Sequence, residues 1–214
     1  MDPIKKVPPI NVDYFEDLTG RIDVDQGPSV GAIGEQIRTL REEKGLSLED
    51  LAKLTGCEVS LLEKIENQAV QPQLGTMIRL SKALNSALGH LISGGGDKPY
   101  SITRRDEARP VSRSTTRTGR QNAYVYKSLA PDVQGRHMEA LMVQLSDVAD
   151  PDTSLHDGEE FIYVLDGSVD LQIGEARFTL EPGDSAYYQS TTPHSIRAAE
   201  SKATILAVVY TDSP

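Results

Sequence analysis

Ser154-Leu-His156-Asp-Gly-Glu-Glu160-Phe-Ile-Tyr-Val-Leu-Asp-Gly167, answered downstream by Pro182-Gly183-Asp184 and Pro193-His194, decides how this chain is read. Phe161 to Leu165 is an apolar run closed by Asp166-Gly167. Val169, Leu171 and Ile173 alternate with polar residues until Gly174-Glu175, and Phe178 and Leu180 alternate until Glu181-Pro182-Gly183-Asp184. Short runs of period two, punctuated by Asp-Gly and Pro-Gly, predict the strands of a β-sandwich or barrel. Asp157-Gly158 is itself a turn signal. It predicts His156 at the end of one strand and Glu160 at the start of the next, side by side, with His194 opening a later strand. Two imidazoles and one carboxylate, with other positions left open, form the facial donor set used for Fe(II) and similar divalent ions.

These residues resemble a cupin domain over about Thr153 to Val209. Its first motif, His-x-His, three or four residues, Glu, six residues, Gly, is met by His156, Glu160 and Gly167. Its second is met by Pro182, Gly183, Asp184, Pro193 and His194. The first histidine of the family pair is Ser154 here, so four ligands become three, and an asparagine often found after the last histidine is Ala198. The resemblance implies an all-β double-stranded β-helix, or jelly-roll, barrel. It also implies His156, Glu160 and His194 as ligands of a divalent metal, one of Fe, Mn, Zn or Ni. Strand patterns at Ala123–Leu129, Met138–Leu145 and Ala203–Tyr210 complete the barrel. Tyr124 and Tyr126 fall on one strand face. With Tyr188 and Ser154 they are the candidate ligand-binding residues, and the tyrosines are equally candidates for the core. His137 lies outside both motifs and reads as a surface or strand-start residue.

Upstream the period changes. Ile33, Ile37, Leu40 and Arg41 are spaced as a helix that stops at Lys44-Gly45. Ser47-Leu-Glu-Asp50 has the form of a capping box opening a helix from Leu48 to Leu54, which stops at Thr55-Gly56. A third helix is predicted over Ser60–Asn67, a fourth over Met77–Leu84 after a loop from Gln71 to Thr76, and a fifth over Leu88–Ile92. Cys57 reads as small buried packing, and His90 as a cap or packing residue near a helix end.

Ile37-Arg-x-Leu-Arg, Lys44-Gly-Leu-Ser47, Leu51-Ala52 and Thr55-Gly56 set the pattern of this region, followed by Leu62-x-x-Ile65-Glu66-Asn67 and Pro72-x-Leu-x-Thr76. It resembles the phage-repressor-like, XRE-type helix-turn-helix domain. That resemblance places the third helix in the major groove, presenting Val59, Ser60, Glu63 and Lys64, with Ser47 near phosphate. One lysine among Glu58, Glu63 and Glu66 is a weak cationic face for that task, and Glu66 is assigned to packing and capping.

Charge divides the chain in the same way. Residues 122–214 carry 5 basic and 15 acidic groups, which excludes nucleic acid as their partner, whereas residues 94–121 carry 7 and 3. The expected organisation is a flexible arm over 1–29, a helix-turn-helix domain over 30–93, a basic linker and first barrel strand over 94–121, and the barrel over 122–214. No apolar run reaches membrane-spanning length, and the single cysteine suits a reducing cytoplasm.

The function expected from both resemblances is a cytoplasmic transcriptional regulator. It would bind double-stranded operator DNA as a homodimer or higher homo-oligomer, and its barrel would take a small-molecule effector, a divalent metal, or both. The alternative is a mononuclear iron enzyme. The order of domains, the single-histidine first motif and Tyr124-Val-Tyr126 resemble the hydroxypropylphosphonate epoxidases, although their substrate-contacting lysine falls at Gly45 here.

Overall fold

The computed structural model describes residues 32–86, 91, 97–104, 111–115, 122–133, 135–149 and 151–211. The expected arm over 1–29, with Tyr14, Phe15 and Leu18, lies outside these residues, as do His90, Arg105, Arg109, Arg117 and Arg120. Four helices are delimited: α1 Ala32–Glu43, α2 Leu48–Thr55, α3 Val59–Glu66 and α4 Leu74–Ala83. Among the described residues four helices are therefore delimited where five were expected. Of the span predicted for the fifth, only Leu91 is described, helical and buried.

Local chemistry accounts for the helix boundaries. The Asp50 backbone N–H donates to Ser47 Oγ and the Ser47 N–H donates back to the Asp50 carboxylate, so the predicted capping box is formed. Gly56 ends α2 at φ 67°, a left-handed conformation that glycine reaches without a Cβ penalty. The turn from α2 into α3 is fastened by Thr55, whose hydroxyl donates to Leu51 O and accepts from Cys57 N–H. Ile37, Leu51, Leu62, Ile65, Met77 and Leu80 form the core between the helices. Cys57 is buried, as expected.

α4 begins three residues before its predicted start, at Leu74 rather than Met77. This early turn carries Gly75, which costs helix stability and reads as loop in isolation. It is held by tertiary contacts instead, as the Leu74 N–H donates to the hydroxyl of Tyr124 in the barrel.

Among the described residues nine strands follow: β1 Val111–Thr115, β2 Asn122–Ser128, β3 Met138–Ser146, β4 Glu159–Asp166, β5 Val169–Ile173, β6 Ala176–Leu180, β7 Ser185–Gln189, β8 His194–Ala198 and β9 Lys202–Tyr210. They form a six-stranded sheet in the order β1-β2-β3-β9-β4-β7 and a three-stranded sheet β6-β5-β8, antiparallel throughout. Leu141, Val143, Leu145, Ile162, Val164, Ile205 and Ala207 turn inward from the large sheet and meet Val169, Leu171 and Ala198 of the small one. The expected all-β barrel is present. No described helix is long and apolar enough to cross a membrane.

Candidate metal centre and the cavity around it

Two strand ends and one turn assemble the site. Glu160 points inward from the start of β4, and His194 opens β8. His156 precedes the Asp157-Gly158 turn, but no strand is delimited before it. Ser154 instead makes an isolated bridge to His194, its N–H donating to His194 O at 2.7 Å and its carbonyl accepting from His194 N–H at 3.0 Å. The predicted neighbourhood of His156 and Glu160 is nevertheless formed, with His156 Nε2 and His194 Nε2 at 2.9 and 3.3 Å from Glu160 Oε1. All three side chains are buried, and their ligand atoms lie within 4.8 Å of one another.

The hydrogen bonds around the triad fix its orientation. His156 Nδ1 faces Asp157 O at 3.0 Å and His194 Nδ1 faces Thr192 O at 2.9 Å. A carbonyl only accepts, so each Nδ1 carries the hydrogen and each Nε2 is turned toward Glu160. Glu160 Oε2 accepts from the Tyr188 hydroxyl at 2.7 Å, and Oε1 from Ser190 Oγ at 3.4 Å.

Burial raises the Glu160 carboxyl, but the two imidazoles facing it outweigh burial and hold it well below the usual carboxylate range. Burial lowers His194, and Glu160 more than reverses this, so that it is raised. Burial and the adjacent Glu160 carboxylate push Tyr188 well above a free phenol. Two neutral imidazole nitrogens aimed at a carboxylate oxygen repel it unless a cation lies among them, either protons or a metal ion. Donor atoms of adjacent ligands on an ion with bonds of about 2.1 Å stand about 3.0 Å apart. The two imidazole–carboxylate separations are close to that edge, and the three residues could hold a divalent metal ion.

Above the triad lies a cavity of about 60 Å³, lined by Tyr124, Tyr126 and Tyr188 and by apolar side chains that include Val143, Leu145, Ile162 and Ile205. One water needs about 10–15 Å³ by this measure, so the cavity admits a ligand of a few non-hydrogen atoms. Tyr126 and Tyr188 are buried, Tyr124 is half-buried, and the Tyr124 and Tyr126 rings lie 5.9 Å apart. The three tyrosines therefore pack with the core and also line the cavity. No lysine or arginine is among the described lining residues, and neither Lys44 nor Gly45 lines it.

The wall that sequence reasoning missed comes from the helical domain. Gln73, Leu74 and Gly75 line the cavity together with Ser154, Glu160 and His194. Gln73 Nε2 donates to Asp152 Oδ2 at 2.7 Å, and Lys82 of α4 pairs with Asp157. A Cβ on Gly75 would lie 2.8 Å from Ser154 Oγ and 3.2 Å from His156 Cδ2, so α4 rests its backbone on the mouth of the barrel. An imidazole at position 154 has no room while α4 sits there, so the missing fourth ligand and the seated helix are two sides of one arrangement. The glycine, read as a loop marker, was the signal available in the sequence.

The other predicted residues lie as follows. Ser60, Glu63 and Lys64 are exposed on α3 and Val59 is half-buried. Ser47 is exposed, with its hydroxyl engaged by the Asp50 cap. His137 is exposed just before β3, near Tyr210. Arg113 lies within β1, which pairs with β2, so that part of the basic segment is the first barrel strand.

A helix-turn-helix domain family matches residues 32–90 and a cupin domain family matches residues 142–210. The chain is 24% identical over 194 residues to the HTH-type transcriptional regulator PuuR of Escherichia coli strain K12, covering 86% of this chain and 95% of that protein. It is 26% identical over 163 residues to the HTH-type transcriptional regulator SutR of the same organism, covering 75% of this chain and 84% of that protein. A solved HTH_3 family transcriptional regulator from Vibrio cholerae shares the fold at a TM-score of 0.60 and 22% identity, over 85% of this chain and 96% of that one. The chain joins a helix-turn-helix domain to a cupin barrel, and PuuR and SutR are both HTH-type transcriptional regulators.

Proposed function

We propose that this chain is a DNA-binding transcriptional regulator of the cytoplasm, in which occupancy of the barrel sets the position of the helix-turn-helix domain. The observation that carries the reading is that α4 belongs to both parts. Met77 and Leu80 lie in the core of the helical bundle, while Leu74 and Gly75 wall the cavity of the barrel. A ligand there touches the helical domain directly, which is the differential contact that coupling between two sites requires.

In this reading His156, Glu160 and His194 hold a divalent ion, which supplies a Lewis-acidic anchor for a small effector. Tyr188 and the two carbonyls facing Nδ1 orient these ligands, as outer partners of metal sites do. Tyr124, Tyr126, Tyr188 and Ser154 frame the effector. On the DNA side, Val59, Ser60, Glu63 and Lys64 of α3 face the major groove, with Ser47 near phosphate. Lys64 is the single cation of α3, so binding should depend only shallowly on salt. Two copies would present their α3 helices to half-sites about one helical turn apart.

The test is selection of duplexes from a random pool by the full chain, followed by affinity measurements on the enriched sequence with added Mn(II) and with chelator. A sequence is expected to emerge, with affinities differing at least tenfold between the two conditions. Gly75→Val should push α4 off Ser154 and bring the two affinities together. Failure to enrich any sequence would sink the regulator reading.

A further inference from the structure

Between the two domains, outside the barrel, lies an open cleft of about 440 Å³. Its walls include residues 56–58 in the turn into α3, the loop over residues 70–73, Thr76 and Arg79 of α4, and residues 151–154 of the barrel. It shares only Gln73, Pro151, Asp152 and Ser154 with the cavity above the triad, so the Gln73–Asp152 hydrogen bond lies on the boundary of the two. Arg79 is the single cation among the described lining residues. Arg38, Arg41, Arg136 and Arg197 each sit against a carboxylate. Arg79 does not. Its Nη2 donates to Thr76 Oγ1 at 3.3 Å, and its Nε is enclosed without a hydrogen-bond partner among the described residues. Thr76 therefore holds the guanidinium in place, while Nη1 and the second N–H of Nη2 are left for an acceptor.

We propose that this cleft is a second small-molecule site, separate from the barrel cavity, and that it takes an organic monocarboxylate held by Arg79. A guanidinium presents its N–H groups as a fork that fits a carboxylate, and clefts where domains meet are common places for ligands. The cleft is several times larger than the barrel cavity, which leaves room for an organic body behind the carboxylate. Charge narrows the class. Glu58 and Asp152 lie on the same walls, so a single negative charge is accommodated where a doubly charged anion is opposed. The barrel forms one side of the cleft, and its excess of 15 acidic over 5 basic groups in residues 122–214 keeps a DNA backbone out. A molecule bound here would touch the turn that leads into α3 and the barrel at once. The inference goes beyond the regulator reading and stands without it, because neither DNA nor metal enters its test.

The test follows the Arg79 Nε–H resonance of the metal-free full chain in proton–nitrogen correlation spectra, titrated with sodium acetate at constant ionic strength. Enclosure shields this proton from exchange with water, which makes it a usable reporter. The signal is assigned by its loss in Arg79→Lys. A saturable shift with a millimolar dissociation constant is expected, while the exposed Arg177 drifts without saturating. Sodium sulfate should bind more weakly than acetate. Arg79→Gln, with unchanged far-UV circular dichroism, should weaken acetate by about tenfold or more, read at the backbone amide of Cys57 on the cleft wall. The wild-type titration decides the matter if that variant misfolds. The absence of a saturable shift, sulfate binding more tightly than acetate, or a folded Arg79→Gln that binds acetate as wild type does would each overturn the proposal.

Discussion

Glu66 in the helical domain and Glu160 in the barrel are buried alike, at 5% and 8% exposure, yet they are neutralised by different kinds of cation. Glu66 accepts from Arg41 Nε at 2.6 Å and Nη2 at 2.8 Å, and from Arg38 Nε at 3.3 Å. The bidentate bond to Glu66 raises Arg41 further above its already high value, against the effect of burial. These charges are permanent in water, and they tie α1 to the end of α3. Glu160 faces two imidazoles whose charge is optional in the physiological range. A buried carboxylate among guanidiniums is a fastening. One among imidazoles is a socket, because its counter-charge can be exchanged for a metal ion.

The largest effect that separates the two sites is expected from Glu66→Ala. It leaves Arg41, at 12% side-chain exposure, without its carboxylate. Removing one partner of a buried pair costs about 3–5 kcal/mol, so urea denaturation should show the helical domain weakened by that much while the barrel transition stays in place. A loss below about 1 kcal/mol would break the comparison at the fastening.

Glu160→Gln tests the socket. Bound divalent metal should fall from near one per chain to near none. The stabilisation of wild type by Mn(II), about 2.7 kcal/mol at a hundredfold excess over the dissociation constant, should vanish. The metal-free stability should change by far less than in Glu66→Ala, since the amide can still accept from Tyr188.

pH sharpens the contrast further. Glu160 is depressed, so its contribution is present above the unfolded value of about 4.3 and is lost as pH falls. His194 is raised, so its contribution is complete below about 6.5 and is lost as pH rises through its folded value. The metal-free barrel should therefore be most stable between about pH 4.5 and 6.5, by thermal midpoints in chelator. Metal affinity should run the other way, because each Nε2 must be free of its proton to bind. The smallest change is expected for Lys82→Ala. Lys82 and Asp157 are both more than half-exposed, so their pairing between the domains is worth at most about 0.5 kcal/mol by differential scanning fluorimetry.

The parts legible in the sequence were those governed by local chemistry. The Ser47–Asp50 box, the Gly56 stop and the strands β3, β4, β5 and β9 appear where the residues predict them. His156 and Glu160 also come together, because the turn at Asp157-Gly158 joins their segments, while His194 arrives from β8 through its bridge to Ser154. β7 was missed because it lies at the edge of the sheet, where burial does not impose strict alternation on Ser185–Gln189. The early start of α4 was missed because Gly75 is unfavourable in any helix considered alone. What holds it is Tyr124, some fifty positions away. The loss of a histidine at Ser154 likewise read as a missing ligand, when in three dimensions it is the clearance into which a helix fits.

Seating α4 on the mouth of the barrel also sets a clock. In the regulator reading, an effector in a cavity walled in part by another domain would exchange at a rate set partly by how often that domain lifts. A brief pulse of effector would pass unrecorded, and an effector once trapped would outlast its own disappearance outside. Gly75 and Ser154 would then govern how long the molecule remembers, separately from how tightly it binds.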